Sequence, residues 1–308
     1  MTAPTGAAPS GVTIRPGRAE DTEACHGIMW RAITDLARRH GIALDGAAED
    51  WWPSSAPQFD YLSRVAAEWW VAEDPGSGEL LGYARSIERG DLFELTEFFV
   101  RPERQAAGVG RALLERAFPL GRGEVRAIIA TTDTRALTRY YRAGTAARFP
   151  MLSIEGAPAA TAGSGRLEAV ALEPTAAALA EVAAVEVAVL GHARGQGELR
   201  WLLEAREGYL YRRDGAGAGF GFVGRHGAGP VAALEPGDLP EQLLHLEGRA
   251  GALGVERLSL QVPGPNVVAV RHLLGRGFRI DPWVNLLMTS QPFGRFDRFI
   301  GFGPPMFL

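Results

Sequence analysis

Residues 92–112 read LFELTEFFVRPERQAAGVGRA, and this stretch decides the fold. The apolar run from Leu92 to Val100 predicts a strand, and the apolar spacing from Gly110 to Phe118 predicts a helix. A glycine-containing turn joins them, so backbone N–H groups point at one spot where the helix dipole also favours an anion. The stretch therefore predicts an α/β unit with a turn suited to a pyrophosphate, the alternative being an ordinary tight strand-to-helix turn.

The turn matches neither of the two common nucleotide-binding patterns. It lacks the three glycines of the dinucleotide fingerprint, and the chain contains no lysine to complete a phosphate-binding loop. A different kind of phosphate cradle is therefore expected.

The remaining first half surrounds this turn with further strands and helices. Their apolar spacing and turn chemistry predict the following elements: strand 12–14, helix 19–39, strands 69–73 and 80–87, strand 125–131 and helix 134–143. The predicted order is strand, helices, three strands, helix, strand, helix.

The second half repeats this order in weaker form. Its predicted elements are strand 167–172, helix 175–190, strands 208–213 and 219–224, an extended stretch into Leu234, helix 239–254, strand 258–262 and helix 267–275. Between the halves, residues 157–165 are small, flexible and without periodicity, which is typical of a linker. We therefore predict a domain over 1–156, a linker over 157–165 and a second domain over 166–308, in keeping with a length of 308 residues.

Composition excludes several classes of function. The 46% hydrophobic and 22% charged residues are typical of a globular protein, and no apolar run is long enough for a membrane span. A net charge of −4 argues against a nucleic-acid partner, and the six histidines show no metal-ligand spacing. A single cysteine, Cys25, and the lack of a recognisable secretory signal favour the cytoplasm, and the arginine, alanine and glycine bias favours a bacterial source.

Two motifs in order carry a family resemblance. Val100-x-Pro102-x-x-Gln105-x-x-Gly108-x-Gly110 resembles the coenzyme A pyrophosphate motif of the GCN5-related N-acetyltransferase (GNAT) family. Downstream, Asp133-x-x-Ala136-x-x-x-Tyr140-x-x-x-Gly144-Thr145 resembles the second motif, in which Asn commonly stands at the position of Asp133 and Phe at that of Thr145. The resemblance implies an α/β (α+β) fold with two tandem GNAT-like domains, each a mixed, mostly antiparallel sheet flanked by helices.

The resemblance also implies roles for individual residues. Tyr140 would be the general acid that protonates the leaving thiolate, although its alternative is a packed core aromatic. The catalytic base would be Glu94, six residues before Val100; Glu97 would need a β-bulge to join its face, water could serve instead, and both carboxylates could simply face solvent. The main chain of Phe99 and Val100 would pair with the pantetheine arm. The expected coenzyme A site consists of Phe99, Val100, Gln105, Ala106, Ala107, Gly108, Val109, Gly110, Arg111, Asp133 and Ala136.

The second motif recurs in the second half at one constant interval. Asn266, Ala269, Leu273, Gly277 and Phe278 take the places of Asp133, Ala136, Tyr140, Gly144 and Thr145. Leucine cannot donate a proton, and residues 235–240, EPGDLP, stand where the pyrophosphate loop should be. We therefore expect an internal repeat whose second copy binds no coenzyme A.

Three other glycine-rich or aromatic segments indicate a function less specifically than the two motifs do. Residues 40–57, with Asp45, Glu49, Asp50, Trp51 and Trp52, are interpreted as a loop that could receive a cationic amine, or as tryptophans packed under a solvated acidic loop. Residues 195–197 and 215–221 are interpreted as turns and a hairpin.

The resulting hypothesis is an acyl-CoA-dependent N-acetyltransferase that uses acetyl-CoA as co-substrate and needs no metal. Its acceptor would be the primary amine of a small molecule or peptide, with no nucleic-acid or membrane partner, and the chain would be a monomer or homodimer. The alternative is a non-catalytic acyl-CoA-binding or interaction module on the same scaffold.

Overall fold

The computed structural model describes residues 11–44, 46–105, 108–159 and 165–302. The chain divides into two compact units. One contains the chain up to Ile128 together with Asp133–Ala146, and the other contains Ile129–Thr132 together with the chain from Ala147 onward.

The first unit alternates strands and helices in the predicted order. Its elements are β1 (Thr13–Pro16), α1 (Thr22–Arg39), α2 (Ala48–Val65), β2 (Glu68–Glu73), β3 (Leu80–Arg89), β4 (Leu92–Val100), α3 (Val109–Ala117), β5 (Val125–Ala130), whose last two residues group with the second unit, and α4 (Thr134–Arg142).

The sheet of this unit has the strand order β1-β2-β3-β4-β5. Its pairs are antiparallel except for β4 and β5, which run parallel because the helix α3 crosses between them. Arg85 donates to the Phe59 carbonyl at 3.0 Å, which places α2 over one face of β3. Ser86, the next residue, donates to the Ala117 carbonyl at 2.5 Å, so α3 covers the opposite face.

The second unit repeats the plan. Its elements are β6 (Ala146–Gly156), whose first residue groups with the first unit, β7 (Glu168–Ala171), α5 (Ala176–Leu190), α6 (Gln196–Ala205), β8 (Arg206–Arg213), β9 (Ala216–Gly224), β10 (Gly227–Ala233), α7 (Leu239–Ala252), β11 (Leu258–Pro263), α8 (Val267–Gly275), β12 (Arg279–Thr289) and β13 (Phe299–Ile300).

Strands of the second unit lie in two runs, β13-β10-β9-β8-β7 and β12-β6-β11. Ile154, Val231, Leu246, Leu260 and Leu273, from five different elements, belong to one buried apolar cluster. Burying each such side chain contributes about 1.5–3 kcal/mol, so this cluster is what holds α7 and α8 to the strands.

The predicted fold class is confirmed, and some element assignments are corrected. The segment 40–57 is not a loop throughout, since α2 begins at Ala48 and continues through Pro53 and Pro57. Residues 195–197 are not a turn, because Gly195 is the N-cap of α6. The strand β6, which the sequence analysis placed in the first domain, groups with the second unit apart from its first residue and pairs with β11.

The predicted linker falls partly on residues 160–164, which lie outside the described residues. Among the residues that the structure does describe, no helix is long and apolar enough to cross a membrane.

Candidate active site at the end of β4

The helix α3 begins with an uncapped N-terminus. Its N-cap residue, Gly108, has a left-handed backbone with φ of 84°. Glycine adopts this conformation without strain, whereas residues with a Cβ are strained in it. As a glycine, Gly108 offers no side chain to accept a hydrogen bond from the first turn. Since the first N–H groups of a helix have no partner within it, they are left for solvent or a ligand, and the helix dipole favours an anion.

Gln105 secures the turn to the strand that precedes it. Its Nε2 donates to the Val100 carbonyl at 3.1 Å, while its buried Oε1 has no hydrogen-bond partner among the described residues. Arg111 is exposed and pairs with Glu115 at 2.7 Å along the helix. Ala106 and Ala107 lie outside the described residues, whereas the other residues of the predicted coenzyme A site are described.

The strands β4 and β5 part beside this turn. Their pairing runs from Leu92 opposite Val125 to Leu95 opposite Ile128. The strand β4 continues to Val100, and within the described part of the chain no strand pairs with Thr96–Val100 on the β5 side. The predicted pantetheine contacts, Phe99 and Val100, lie on this open edge, where an extended ligand can add as a strand does.

Two predicted site residues, Gly110 and Tyr140, lie against one aromatic ring, that of Phe98. A Cβ placed on Gly110 would lie 3.1 Å from Phe98 Cζ and 3.5 Å from Val100 Cγ2, so only glycine fits here without a shift. On the other side, the ring of Tyr140 meets that of Phe98 edge-on, with centroids 6.0 Å apart. The fold therefore brings the start of α3, the end of β4 and Tyr140 together.

Tyr140 is buried, and its side chain is 6% exposed. Burial raises its pKa, with a further rise from Asp133 and an opposing effect of the Arg139 charge. Among the described residues, none hydrogen-bonds to the Tyr140 hydroxyl. The phenol thus holds its proton at neutral pH and has it available for a ligand.

A β-bulge changes which way the carboxylates of β4 point. Arg85 stands opposite Glu97, but Ser86 stands opposite Leu95, so Thr96 is the extra residue and its hydroxyl donates to the Arg85 carbonyl at 3.1 Å. Glu94 pairs opposite Ile87, on the same face of β3 as Arg85. Glu94 and Glu97 therefore share the face covered by α2, whereas Phe98 lies on the α3 face.

Both carboxylates are buried and paired. Glu97 accepts from the Tyr83 hydroxyl at 2.9 Å and lies 3.2 Å from Arg85, and Glu94 lies 3.2 Å from Arg89. Burial raises the pKa of Glu97, against the opposing influence of Arg85 and Tyr83. The alternative that the two carboxylates face solvent is therefore wrong, and each already has a cationic partner.

Asp133 caps the helix α4. Its Oδ1 accepts from Arg135 N at 2.9 Å, and its Oδ2 accepts from Arg135 and from Arg39 at 2.8 and 3.0 Å. Although burial acts to raise the pKa of Asp133, these hydrogen bonds lower it well below the usual range. Both oxygens are thus engaged by the protein itself, and Ala136 lies in the first turn of the helix.

The tryptophans between α1 and α2 pack differently from one another. Trp52 contacts His26, with ring centroids 5.2 Å apart, whereas Trp51 stacks on Trp30 at 5.6 Å and is 47% exposed. Asp50 accepts a hydrogen bond from Ala47 N at 2.8 Å near the start of α2. Asp45 lies outside the described residues.

The second copy lacks the turn that precedes α3. A 3₁₀ turn, Pro236–Asp238, runs directly into α7 at Leu239, so nothing replaces Gln105 or Gly108. Pro240 removes one N–H from the first turn, and Asp238 places a buried carboxylate at that end, paired with Arg213. This helix start is therefore unsuited to a phosphate group.

The chain itself covers the strand edge that is open in the first copy. Val231 and Ala232 of β10 pair with Ile300 and Phe299 of β13. Asn266, the N-cap of α8, donates from Nδ2 to the Phe299 carbonyl at 3.0 Å. A segment of backbone thus occupies the edge of β10 that corresponds to the open edge of β4.

Phe98 and Arg139 escaped the sequence analysis. Phe98 falls in an apolar run that gave no reason to single it out, but Arg139 lies three residues after Ala136 and hence on the same helix face, a signal that could have been used. Within the described ranges, no group of three or more His, Cys, Asp or Glu side chains is placed to hold a metal ion.

Comparison with known proteins finds a family profile that matches part of the chain. Residues 66–144 match the profile of the acetyltransferase (GNAT) domain. No curated protein sequence matches the chain.

Solved structures share the fold over nearly the whole length. A Pyrococcus horikoshii protein described as an acetyltransferase has a TM-score of 0.72 at 16% identity, covering 96% of this chain and 95% of its own. A GCN5-related N-acetyltransferase from Sphaerobacter thermophilus has a TM-score of 0.62 at 14% identity, covering 92% of this chain and 97% of its own. A tandem GNAT protein from the clavulanic acid biosynthesis pathway has a TM-score of 0.53 at 16% identity, covering 91% of this chain and 99% of its own. Residues 66–144 thus match the acetyltransferase (GNAT) domain, and the chain as a whole has the fold of tandem GNAT proteins.

Proposed function

We propose that this chain is an acyl-CoA-dependent N-acetyltransferase that moves an acetyl group from acetyl-CoA to a primary amine by direct attack within a ternary complex. One observation carries the proposal: the uncapped start of α3, the unpaired edge at Thr96–Val100 and the Tyr140 ring lie around Phe98. A phosphate group, an extended arm and a leaving thiolate need these three features side by side.

Coenzyme A fits the residues that are present. Its diphosphate would bind the N–H groups that follow Gly108, and its pantetheine arm would lie along Phe99 and Val100. A Cβ at Gly110 would lie 3.1 Å from the Phe98 ring, so the glycine lets the start of α3 pack close to the end of β4. The bound thioester supplies the activated acyl group, and the protein holds it in place.

The chemistry that remains for the protein is proton movement. When the amine attacks the thioester carbonyl, the C–S bond breaks and the sulfur leaves as a thiolate that needs a proton. Two observations support Tyr140 in this role: burial keeps its phenol protonated, and its hydroxyl has no partner among the described residues.

The attacking amine must lose its proton to another acceptor. Glu94 is paired with Arg89, Glu97 is held by Arg85 and Tyr83, and both lie on the α2 face of β4. We therefore favour water over either carboxylate as the immediate acceptor of this proton, with Glu94 retained as the carboxylate candidate.

A thiol-release assay with acetyl-CoA tests the function. Wild-type protein is supplied with a panel of small-molecule amines, amino acids, aminoglycosides and peptides, and acceptor-dependent release of free coenzyme A is expected for at least one class. Tight binding of acetyl-CoA with no turnover across the panel would support the binding-module alternative. No binding of acetyl-CoA by folded protein would refute both.

A further inference from the structure

Arg139 reaches from α4 to the start of α3. A Cβ placed on Gly110 would lie 3.5 Å from Arg139 Nε, about as close as Val100 Cγ2 on the strand side. The guanidinium is therefore within contact distance of the first turn of α3, the place where the donor's phosphates are proposed to bind. Neither of the two family motifs specifies a residue at this position.

This arginine has no acidic partner in the part of the chain that is described. Its Nη1 donates to the Arg135 carbonyl at 3.2 Å, and no carboxylate lies within ion-pair distance. Neighbouring arginines are paired: Arg135 with Asp133 at 2.8 Å, and Arg111 with Glu115 at 2.7 Å. A guanidinium has five N–H donors, so most of those on Arg139 are available to a ligand.

The charges at this point share one sign. The helix dipole leaves partial positive charge at the start of α3, and the Arg139 cation lies beside it, with no carboxylate cap from Gly108 to offset either. Two positive centres held together repel unless an anion lies between them or beside them. A phosphate group that meets both relieves this repulsion and forms charge-assisted hydrogen bonds.

We propose that Arg139 binds the diphosphate of coenzyme A and acts with the backbone N–H groups at the start of α3 as one anion site. The inference rests on the proposed function, since it names a further residue of the same donor site. Arg139 thereby supplies from a side chain the cation that a phosphate-binding loop takes from its lysine, a residue type that this chain lacks.

The test compares two arginines of the same helix. Arg142 is exposed in the last turn of α4 and forms no ion pair among the described residues, so Arg142→Gln removes the same charge at a distance from Gly110. Each variant is titrated by calorimetry with coenzyme A and with 3′-dephospho-coenzyme A, which keeps the diphosphate. Arg139→Gln is expected to weaken both ligands by about 10- to 100-fold, and Arg142→Gln by less than about threefold.

Other results overturn the assignment in different ways. Equal losses in both variants would indicate general charge attraction, and a loss with coenzyme A alone would place Arg139 at the 3′-phosphate. Unchanged affinity in Arg139→Gln would show that the side chain does not touch the donor. If wild-type protein bound neither ligand, the proposed function would fail and this assignment with it.

A second variant guards against misfolding. Arg139→Lys keeps the charge but loses the fork of parallel donors, so it is expected to lie between wild type and Arg139→Gln in affinity for both ligands. Wild-type affinity in Arg139→Lys together with an unfolded Arg139→Gln would overturn the hydrogen-bonding role.

Discussion

The helices α4 and α8 end in the same way and begin differently. Gly144 and Gly277 both have left-handed backbones, with φ of 81° and 86°, and each donates to the carbonyl three residues earlier at 3.0 Å. The residue after each glycine donates at 3.1 Å to the carbonyl of Tyr140 or Leu273. The repeat has therefore kept the hydrogen bonds that stop the helix.

The differences lie where a ligand would bind. The helix α3 begins at Gly108 without a cap, whereas the equivalent helix α7 has Asp238 and Pro240 at its start. Tyr140 of the first copy is replaced by Leu273 in the second. The edge of β4 is open, whereas β13 covers the corresponding edge of β10. The comparison teaches that the two copies share the residues that the backbone of the fold requires, while only the first copy has the features of the proposed donor site.

The largest effect is expected at the Tyr140 and Leu273 pair. Tyr140→Phe keeps the ring beside Phe98 and removes the proton donor, so kcat should fall by about 10²- to 10⁴-fold while acetyl-CoA still binds. The matched control is Tyr141→Phe, because the next residue on a helix points about 100° away and Tyr141 is 54% exposed. Steady-state kinetics with an active acceptor measure both. Full kcat in Tyr140→Phe with loss in Tyr141→Phe would shift the motif alignment by one residue.

Charge placed at the two helix starts should act on one copy only. Gly108→Asp puts a carboxylate and a strained side chain where phosphate would meet backbone, so the Kd for coenzyme A should rise by at least about 100-fold. Gly237→Asp is the equivalent change before α7, where a Cβ meets nothing within 4 Å, and it should leave the Kd unchanged. Calorimetry on wild type should give one site per chain. Two sites, or sensitivity to Gly237→Asp, would contradict the contrast between the copies.

The covering of the β10 edge by β13 should depend on Asn266. This fully buried side chain accepts from Ala269 N at 3.0 Å and donates to Phe299, so Asn266→Ala removes a cap and a buried hydrogen bond together. The free energy of opening of α8 and β13 should drop by about 2 kcal/mol. Native-state hydrogen exchange measures it segment by segment.

Thr175 provides the control for that loss. It caps α5 through Ala178 N at 3.3 Å, and its side chain makes no hydrogen bond to a strand within the described ranges, so Thr175→Ala should cost about 1 kcal/mol and only in α5. If β13 kept its protection in Asn266→Ala, the strand would be held by its pairing with β10 alone.

The smallest effect is expected where Asp133 replaces the asparagine of the second copy. Asp133→Asn keeps the cap but loses the ion pairs with Arg39 and Arg135, which should cost about 1 kcal/mol at pH 7. The folded pKa of Asp133 is depressed below 3.8, so this stabilisation is present above that pH and is lost as pH falls through the folded pKa. Urea midpoints of wild type and variant should therefore converge as pH falls below about 4. A gap that widened in acid would assign the stability to something other than these ion pairs.

Much of the fold could be predicted from local sequence. The strand from Leu92 to Val100, the helix ends at Gly144 and Gly277 and the turn at Gly108 each depend on neighbours a few residues away. Helical spacing, positive-φ glycines and strand runs act at this range, and so the sequence predicted them. The repeat likewise followed from one constant interval between two motifs.

Long-range packing decided what the sequence could not. The strands β6 and β12 carry Pro150 and Pro282 and went unpredicted, because proline argues against a strand and only the partner strands compensate for it. The helix α2 passes through Pro53 and Pro57 for the same kind of reason, since buried Phe59 and Leu62 anchor its second half.

At the site, the sequence determined which residues are present, and the tertiary structure decided which of them can act. Tyr140, Gly108 and Gly110 were identified by spacing, whereas the bulge at Thr96 turned Glu94 and Glu97 to one face, and Arg85 and Arg89 neutralised them there. The parting of β4 from β5 and the covering of β10 by β13 likewise depend on pairing between distant segments. A local pattern fixes the backbone conformation of a few residues, but a side chain's neighbours come from elsewhere in the chain, and those neighbours set its charge state and its access to a ligand.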